Sequence, residues 1–119
     1  MNIEIRTDKN IDGSERLIDY IRTELASEFQ RYSEKITHFS VHLSDENGDK
    51  KNGENDIRCM IEARPAGLHP IAVTNKANTI DLSVNGAIDK LQRSLEHTFE
   101  KLESSRGGRV EFKDEDDAE

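Results

Sequence analysis

Two segments in which polar and apolar residues alternate constrain the fold of this chain more than any other feature. They are ITHFSVHL, residues 36–43, and IRCMIEAR, residues 57–64. Successive side chains of a β-strand point to opposite faces, so each segment predicts a strand with one buried face and one open face. The residues predicted to point inward are Phe39, Val41 and Leu43 in the first segment and Ile57, Cys59, Ile61 and Ala63 in the second.

Two other segments carry apolar residues at helical spacing and would cover the buried face of such a sheet. The first runs from Ser14 to Tyr32, with Ser14 as its N-cap. The second begins at Asn78 or Thr79, either of which can cap it, and ends near Glu103. Both helices are predicted to be amphipathic, with one apolar stripe and a solvated remainder.

Short alternating segments at 2–6 and 68–74 predict two more strands, which makes the element order β-α-β-β-β-α. This order predicts an α+β two-layer sandwich, with a four-stranded, mainly antiparallel sheet that carries two helices on one face. The other face of the sheet is expected to be open.

The size and composition of the chain predict one domain and a tail. Of 119 residues, 33% are hydrophobic and 35% are charged, which is sparse for a single packed core. The folded domain is therefore predicted to span residues 1–103, followed by a flexible acidic tail at 104–119. The tail has a net charge of −3 and the whole chain −8. Nonspecific nucleic-acid binding is disfavoured by this charge, which leaves room only for a local basic patch.

The polar segment 44–56 between the two central strands is long for a hairpin loop and is predicted to project from the sheet. Its carboxylates indicate a solvated loop, with weak calcium capture as the alternative. The chain begins directly with an alternating segment, without the basic region and apolar run of a signal peptide, and has no window of 18 apolar residues. We therefore expect a soluble cytoplasmic protein with no membrane partner.

The sequence shows no pattern typical of a metal, cofactor or catalytic site. His38 and His42 share a strand face but would lie about 13 Å apart, too far to bind one ion. His69 and His97 belong to other elements, and Cys59 is expected to lie in the core. No nucleophile, phosphate-loop or dinucleotide motif is present. We expect neither metal nor cofactor, and no enzymatic activity.

The second predicted helix has its charges sorted into a cationic and an anionic edge. The cationic edge would extend over about 16 Å, long enough to meet two or three phosphates, although a solvated face is the simpler interpretation. Three arginines on the open sheet face could enlarge this patch, although Glu4 and Glu62 interrupt it. The residues predicted to bind RNA are Lys90, Arg93, His97 and Lys101 on the helix and Arg6, Arg58 and Arg64 on the sheet.

The element order, PIAV before the last helix and AIDKLQRSL within it resemble one known family. The last helix of that family reads Asp-Lys-Leu, any residue, Arg, a polar residue and Leu, which Asp89-Lys90-Leu91, Arg93 and Leu95 match. The chain thus resembles the bacterial ribosome hibernation-promoting and ribosome-associated inhibitor proteins, also called sigma-54 modulation proteins. The likeness extends over roughly residues 1–103.

This resemblance implies a double-stranded-RNA-binding-like fold and a non-enzymatic translation inhibitor that acts in stress. Its implied partner is the small ribosomal subunit with its 16S-type rRNA, whose messenger and transfer RNA cleft it would occupy. Lys90 and Arg93 would contact phosphates, and His97 and Lys101 would extend the contact. Longer members have a second domain that pairs ribosomes, which we do not expect here. Two alternatives remain: a module that binds a basic protein, and weak self-association through the open sheet face.

Overall fold

The computed structural model describes residues 2–46 and 56–107, with side chains up to Leu102. The observed order of elements is β-α-β-β-β-α, and the α+β class is confirmed. The elements are β1 (Asn2–Thr7), α1 (Glu15–Glu28), a short 3₁₀ helix (Gln30–Tyr32), β2 (Ile36–Asp45), β3 (Ile57–Pro65), β4 (Ile71–Ala77) and α2 (Ile80–Gly107).

The four strands form one sheet in the order β1-β2-β3-β4. β1 and β2 are parallel, because α1 lies between them in the sequence and carries the chain back to the same end of the sheet. The other two pairs are antiparallel, as expected for a mainly antiparallel sheet. In the centre of the sheet, Val41 lies between Ile5 on β1 and Ile61 on β3.

The core lies between the inner face of this sheet and the two helices. The alternation in β2 and β3 correctly predicts which side chains point inward, and Cys59 is buried among them. Burial of a large aliphatic or aromatic side chain contributes roughly 1.5–3 kcal/mol, so these contacts are the main stabilising term. The largest side chains with no exposed surface include Phe29, Phe39, Ile21, Leu25, Ile36, Leu43, Ile61, Leu91 and Leu95.

Both helices begin at the predicted caps but end elsewhere. The Leu17 amide donates to the Ser14 Oγ at 3.2 Å, and the Leu82 amide donates to the Thr79 Oγ1 at 3.1 Å. α1 ends at Glu28, where the chain tightens into the 3₁₀ helix that keeps Tyr32 buried. α2 continues four residues past the predicted end, up to Gly107, because no glycine or proline interrupts it earlier in its last turns.

The last strand is displaced from its predicted position. It was expected at 68–74 but spans Ile71–Ala77, because Pro65 to Leu68 form a tight turn first. Gly67 has a φ of 77° in this turn, a conformation that glycine adopts without strain. At the other end, Asn75 points inward and breaks the apolar alternation on which the prediction relied.

Some predictions concern residues outside the described ranges. The projecting loop falls mostly there, although pairing between β2 and β3 continues as far as a hydrogen bond from the Glu46 amide to the Asp56 carbonyl at 2.8 Å. Most of the predicted tail, from residue 108 onwards, also falls there, and the domain boundary near residue 103 stays a prediction. Within the described ranges, no helix is long and apolar enough to span a membrane.

Candidate nucleic-acid interface

A buried polar clamp fixes the position of α2 on the sheet. Ser83 has no exposed surface, and its hydroxyl lies 3.0 Å from the Ile57 carbonyl oxygen and 3.1 Å from that of Asn75. The Asn75 Nδ2 donates in turn to the carbonyls of Leu82 and Ser83 at 3.3 and 3.2 Å. Gly86 has no side chain to occupy the space taken by Asn75. The clamp therefore sets which residues of α2 lie beside β4.

Lys90, one turn after Gly86, lies over the edge of the sheet. Its Nζ donates to the Thr74 carbonyl at 2.8 Å, while the side chain stays exposed. β4 is an edge strand, so this contact satisfies a backbone carbonyl at the border of the sheet. The partner is a neutral carbonyl, so this contact does not offset the charge of Lys90.

Arg93, three residues after Lys90, is an exposed cation of α2. Its Nη2 donates to the Asp89 Oδ2 at 3.0 Å, an i,i+4 pair in which the Arg93 side chain is 75% exposed. Exposed pairs of this kind contribute only about 0–1 kcal/mol. The guanidinium can therefore exchange Asp89 for a stronger anionic partner at small cost.

His97 and Lys101 border an open depression between the C-terminal half of α2 and the segment before β4. We call it the C-terminal depression. His97 and Lys101 are exposed, and within the described residues neither forms an ion pair. The depression is lined by Leu68, His69, Pro70, Ile71, His97, Thr98, Lys101 and Leu102.

We call Lys90, Arg93, His97 and Lys101 together the cationic flank of α2; Lys90 contacts β4, and His97 and Lys101 border the segment that leads into it. The opposite flank of α2 faces α1. There, Glu96 accepts a 2.7 Å hydrogen bond from Arg31, which raises the pKa of the guanidinium. Gln92 donates to the Glu28 carboxylate at 2.9 Å. The two edges of charge thus face two different neighbours.

Between the two helices lies a groove with an acidic lining. Glu24 and Glu28 from α1 and Asp89 from α2 border it, together with the exposed Leu82. Asp89 also pairs with Arg93, so the groove adjoins the cationic flank at this ion pair. The helix layer thus offers two surfaces of opposite charge.

The three predicted sheet arginines lie on the face opposite the helices. The structure therefore does not join them with the cationic flank into one surface. Each is close to a carboxylate. Arg6 lies 2.9 Å from Glu4, Arg64 lies 3.6 Å from Glu62, and Arg58 lies 3.8 Å from Glu46.

Sequence reasoning missed two basic side chains at these surfaces. Lys76 on β4 lies opposite Arg58 on the neighbouring strand β3. The Nζ of Lys76 lies 3.1 Å from Glu46. It was missed because the strand was expected to end at Thr74. His69 joins His97 at the C-terminal depression, and no sequence pattern connects the two.

The described residues contain no arrangement that points to a metal or to nucleophilic catalysis. No three His, Cys, Asp or Glu side chains within residues 2–46 and 56–102 are placed to bind one metal ion. Burial raises the pKa of the Cys59 thiol to about 12, so the nucleophilic thiolate is scarce at neutral pH. The charged surfaces are the features that remain for function.

Solved structures similar to this fold include two that match over nearly their whole length. The N-terminal domain of Protein Y from Thermus thermophilus matches with a TM-score of 0.65 and 21% identity, over 82% of this chain and 99% of that one. A ribosomal subunit interface protein from Coxiella burnetii matches with a TM-score of 0.62 and 13% identity, over 82% and 97%. At these identities the likeness shows the fold alone.

A comparison with curated protein sequences found no match. The sequence does match a family described as "Sigma 54 modulation protein / S30EA ribosomal protein" over residues 3–103. This match covers most of the chain and includes every described element from β1 to the greater part of α2. The chain therefore belongs to the sigma-54 modulation protein / S30EA ribosomal protein family.

Proposed function

We propose that this protein is a non-catalytic, cytoplasmic ribosome-associated factor that silences idle ribosomes by occupying the RNA channel of the small subunit. Family membership supports this proposal, and so does the similarity to a ribosomal subunit interface protein. In this proposal residues 1–103 form the ribosome-binding domain, and residues 104–119, of which the first four continue α2, form an acidic tail.

The cationic flank of α2 carries the proposal. Its four groups lie on one side of a single straight element, over about 16 Å at 1.5 Å per residue. That length matches a short run of phosphates, and a helix holds its cations at fixed spacing. The contacts would be electrostatic and would read no base sequence.

The partners of these cations permit exchange with phosphate. Lys90 donates to a neutral carbonyl, and Arg93 holds an exposed carboxylate that contributes little. Phosphate oxygens form charge-assisted hydrogen bonds, which are about twice as strong as neutral ones. Binding would therefore give Lys90 a charged acceptor in place of a neutral one, and would exchange one anionic partner of Arg93 for another, although the chain as a whole is acidic.

The sheet arginines would contribute less. Arg6 and Arg64 each have a carboxylate neighbour on their own strand, at positions 4 and 62. These carboxylates would repel an approaching phosphate. We assign Arg6, Arg58 and Arg64 a secondary contact with rRNA, on the face away from α2.

Sedimentation with purified small subunits at several salt concentrations tests the proposal. We expect co-sedimentation that is lost as salt rises, and a double variant, Lys90→Glu with Arg93→Glu, that binds weakly. Each lost phosphate contact reduces the magnitude of the slope of log affinity against log salt by about one, so the slope of this variant should be smaller by about two.

A matched control changes the same charge elsewhere. Lys9 and Arg16 are exposed and lie near β1 and α1, away from the cationic flank. The double variant Lys9→Glu with Arg16→Glu should keep the wild-type slope. An unchanged slope in the α2 variant, or an equal loss in both variants, would contradict the assignment.

The acidic groove supports a second candidate function, a module that recognises a basic protein. Asp89→Asn separates the two candidates, because it frees Arg93 and also removes a carboxylate from the groove. Binding to ribosomes through the cationic flank should become about two- to five-fold tighter, since the exposed pair contributes up to about 1 kcal/mol. Binding of a basic partner in the groove should weaken. Glu34→Gln, an equal charge change at an exposed site, should alter neither.

A further inference from the structure

The C-terminal depression combines an apolar floor with a cationic rim. Leu68, Pro70 and Ile71 contribute to the floor from the segment that leads into β4. Leu102 completes it from α2 and is 38% exposed. The rim is formed by His69, His97 and Lys101. An occupant that fits this surface has apolar side chains and an adjacent negative charge.

The sequence that follows α2 has this composition. Residues 109–119 read RVEFKDEDDAE. Val110 and Phe112 are two residues apart, so their side chains point to the same side of an extended chain. Five of the six residues in 114–119 are acidic.

The distances allow this segment to reach the depression. Leu102 lies five residues before the end of α2 at Gly107, about 7.5 Å back along the helix. Phe112 lies five residues after Gly107, and an extended chain of that length spans up to about 17 Å. Residues 114–119 could then extend along α2 towards Lys90, about 25 Å from Gly107. Gly107 and Gly108 provide the permissive backbone that a reversal of direction requires.

We propose that residues 108–119 dock on the C-terminal depression of their own chain, with Val110 and Phe112 on the apolar floor and the acidic run along the cationic flank. Apolar burial provides the attachment, and the carboxylates neutralise the cations beside it. A second consequence rests on the function proposed above: the docked segment competes with rRNA for Lys101 and its neighbours, and binding to the ribosome must displace it.

Histidine NMR of the full-length chain tests the docking directly. His69 and His97 border the depression, whereas His38 and His42 lie on the opposite sheet face and serve as internal references. Replacing Val110 and Phe112 together by alanine should shift the imidazole resonances of His69 and His97 at constant pH. Those of His38 and His42 should stay in place.

The control variant carries Glu111→Gln with Lys113→Gln, which keeps the net charge and both apolar residues. It should show the wild-type resonances. The docking is overturned if the alanine variant leaves His69 and His97 unchanged, or if the control shifts them equally. A shift that grows with protein concentration would assign the segment to a second copy and overturn docking within one chain.

Ribosome sedimentation of the same two variants tests the competition separately. The alanine variant should bind small subunits more tightly than the control at low salt. Equal affinities, with the NMR shifts present, would overturn the competition and leave the docking intact. Failure of the wild-type chain to bind ribosomes at any salt concentration would instead refute the proposed function, while the NMR result would still decide the docking.

Discussion

The substitution Gly86→Ala tests the clamp that positions α2 on the sheet. An added Cβ would overlap the Asn75 Nδ2 and lie 2.7 Å from its Cγ, closer than packed side chains approach. The Asn75 side chain would have to move, because Gly86 lies within a rigid helix. It would then lose its hydrogen bonds to the carbonyls of Leu82 and Ser83.

The sign of the effect follows from two opposing terms. Alanine in place of glycine stabilises a helix interior by up to about 1 kcal/mol. Loss of the two Asn75 hydrogen bonds costs about 1–3 kcal/mol, since each contributes about 0.5–1.5. We therefore expect Gly86→Ala to lower the free energy of unfolding by about 1 kcal/mol. In an Asn75→Ala background, Gly86→Ala should instead raise the free energy of unfolding by about 0.5–1 kcal/mol.

Urea denaturation of the four proteins in this double-mutant cycle, followed by circular dichroism, measures the coupling between the two positions. We expect a coupling energy of about 1–3 kcal/mol. The Asn75→Ala background serves as the control, because it keeps the helix and removes the side chain that the added Cβ would meet. Equal stabilisation by Gly86→Ala in both backgrounds would refute the clamp as the reason for a glycine at this position.

Three further predictions concern stability and the core. Burial raises the pKa of the Cys59 thiol to about 12, above its ordinary value of 9.0. As the pH rises through this range the thiol of the unfolded chain ionises first, so the free energy of unfolding falls. Denaturation measured at several pH values should show a smaller fall in Cys59→Ala. Ser14→Ala should cost about 1 kcal/mol by loss of the α1 cap, as measured by urea denaturation, and an unchanged midpoint would contradict the cap. The exposed pair of Arg31 and Glu96 should show only weak coupling in a double-mutant cycle, despite its 2.7 Å separation, because solvent screens both charges.

Sequence patterns predicted the faces of β2 and β3 because burial acts on each side chain of a strand in turn. Phe39 and Ile61 are inside for no reason other than their own apolar surface. The ends of β4 were not predictable in this way. Asn75 points inward because the backbone of α2 accepts its hydrogen bonds, and that partner is visible only once the fold is known. The buried hydroxyl of Ser83 escaped prediction for the same reason.

The same distinction applies to the candidate interface. Helix geometry is enough to place Lys90, Arg93 and Lys101 on one flank of α2. It does not predict that this flank faces an edge strand, or that the sheet arginines lie on a separate surface. Those relations depend on which face of the sheet the helices cover and on the direction in which α2 crosses it.

The contacts of α2 also change what its sorted charges imply. On the anionic edge, Glu96 pairs with Arg31 and so links α2 to the 3₁₀ helix that follows α1, which makes the sorting partly structural and not by itself a sign of RNA binding. On the cationic flank, Asp89 offsets the charge of Arg93, whereas Lys90 has a neutral partner. The positive potential outside α2 should therefore come mainly from its two lysines. If RNA binds there, neutralising Lys90 and neutralising Arg93 should weaken long-range attraction about equally, because each change removes one positive charge and the loss of Arg93 leaves the Asp89 carboxylate without its partner.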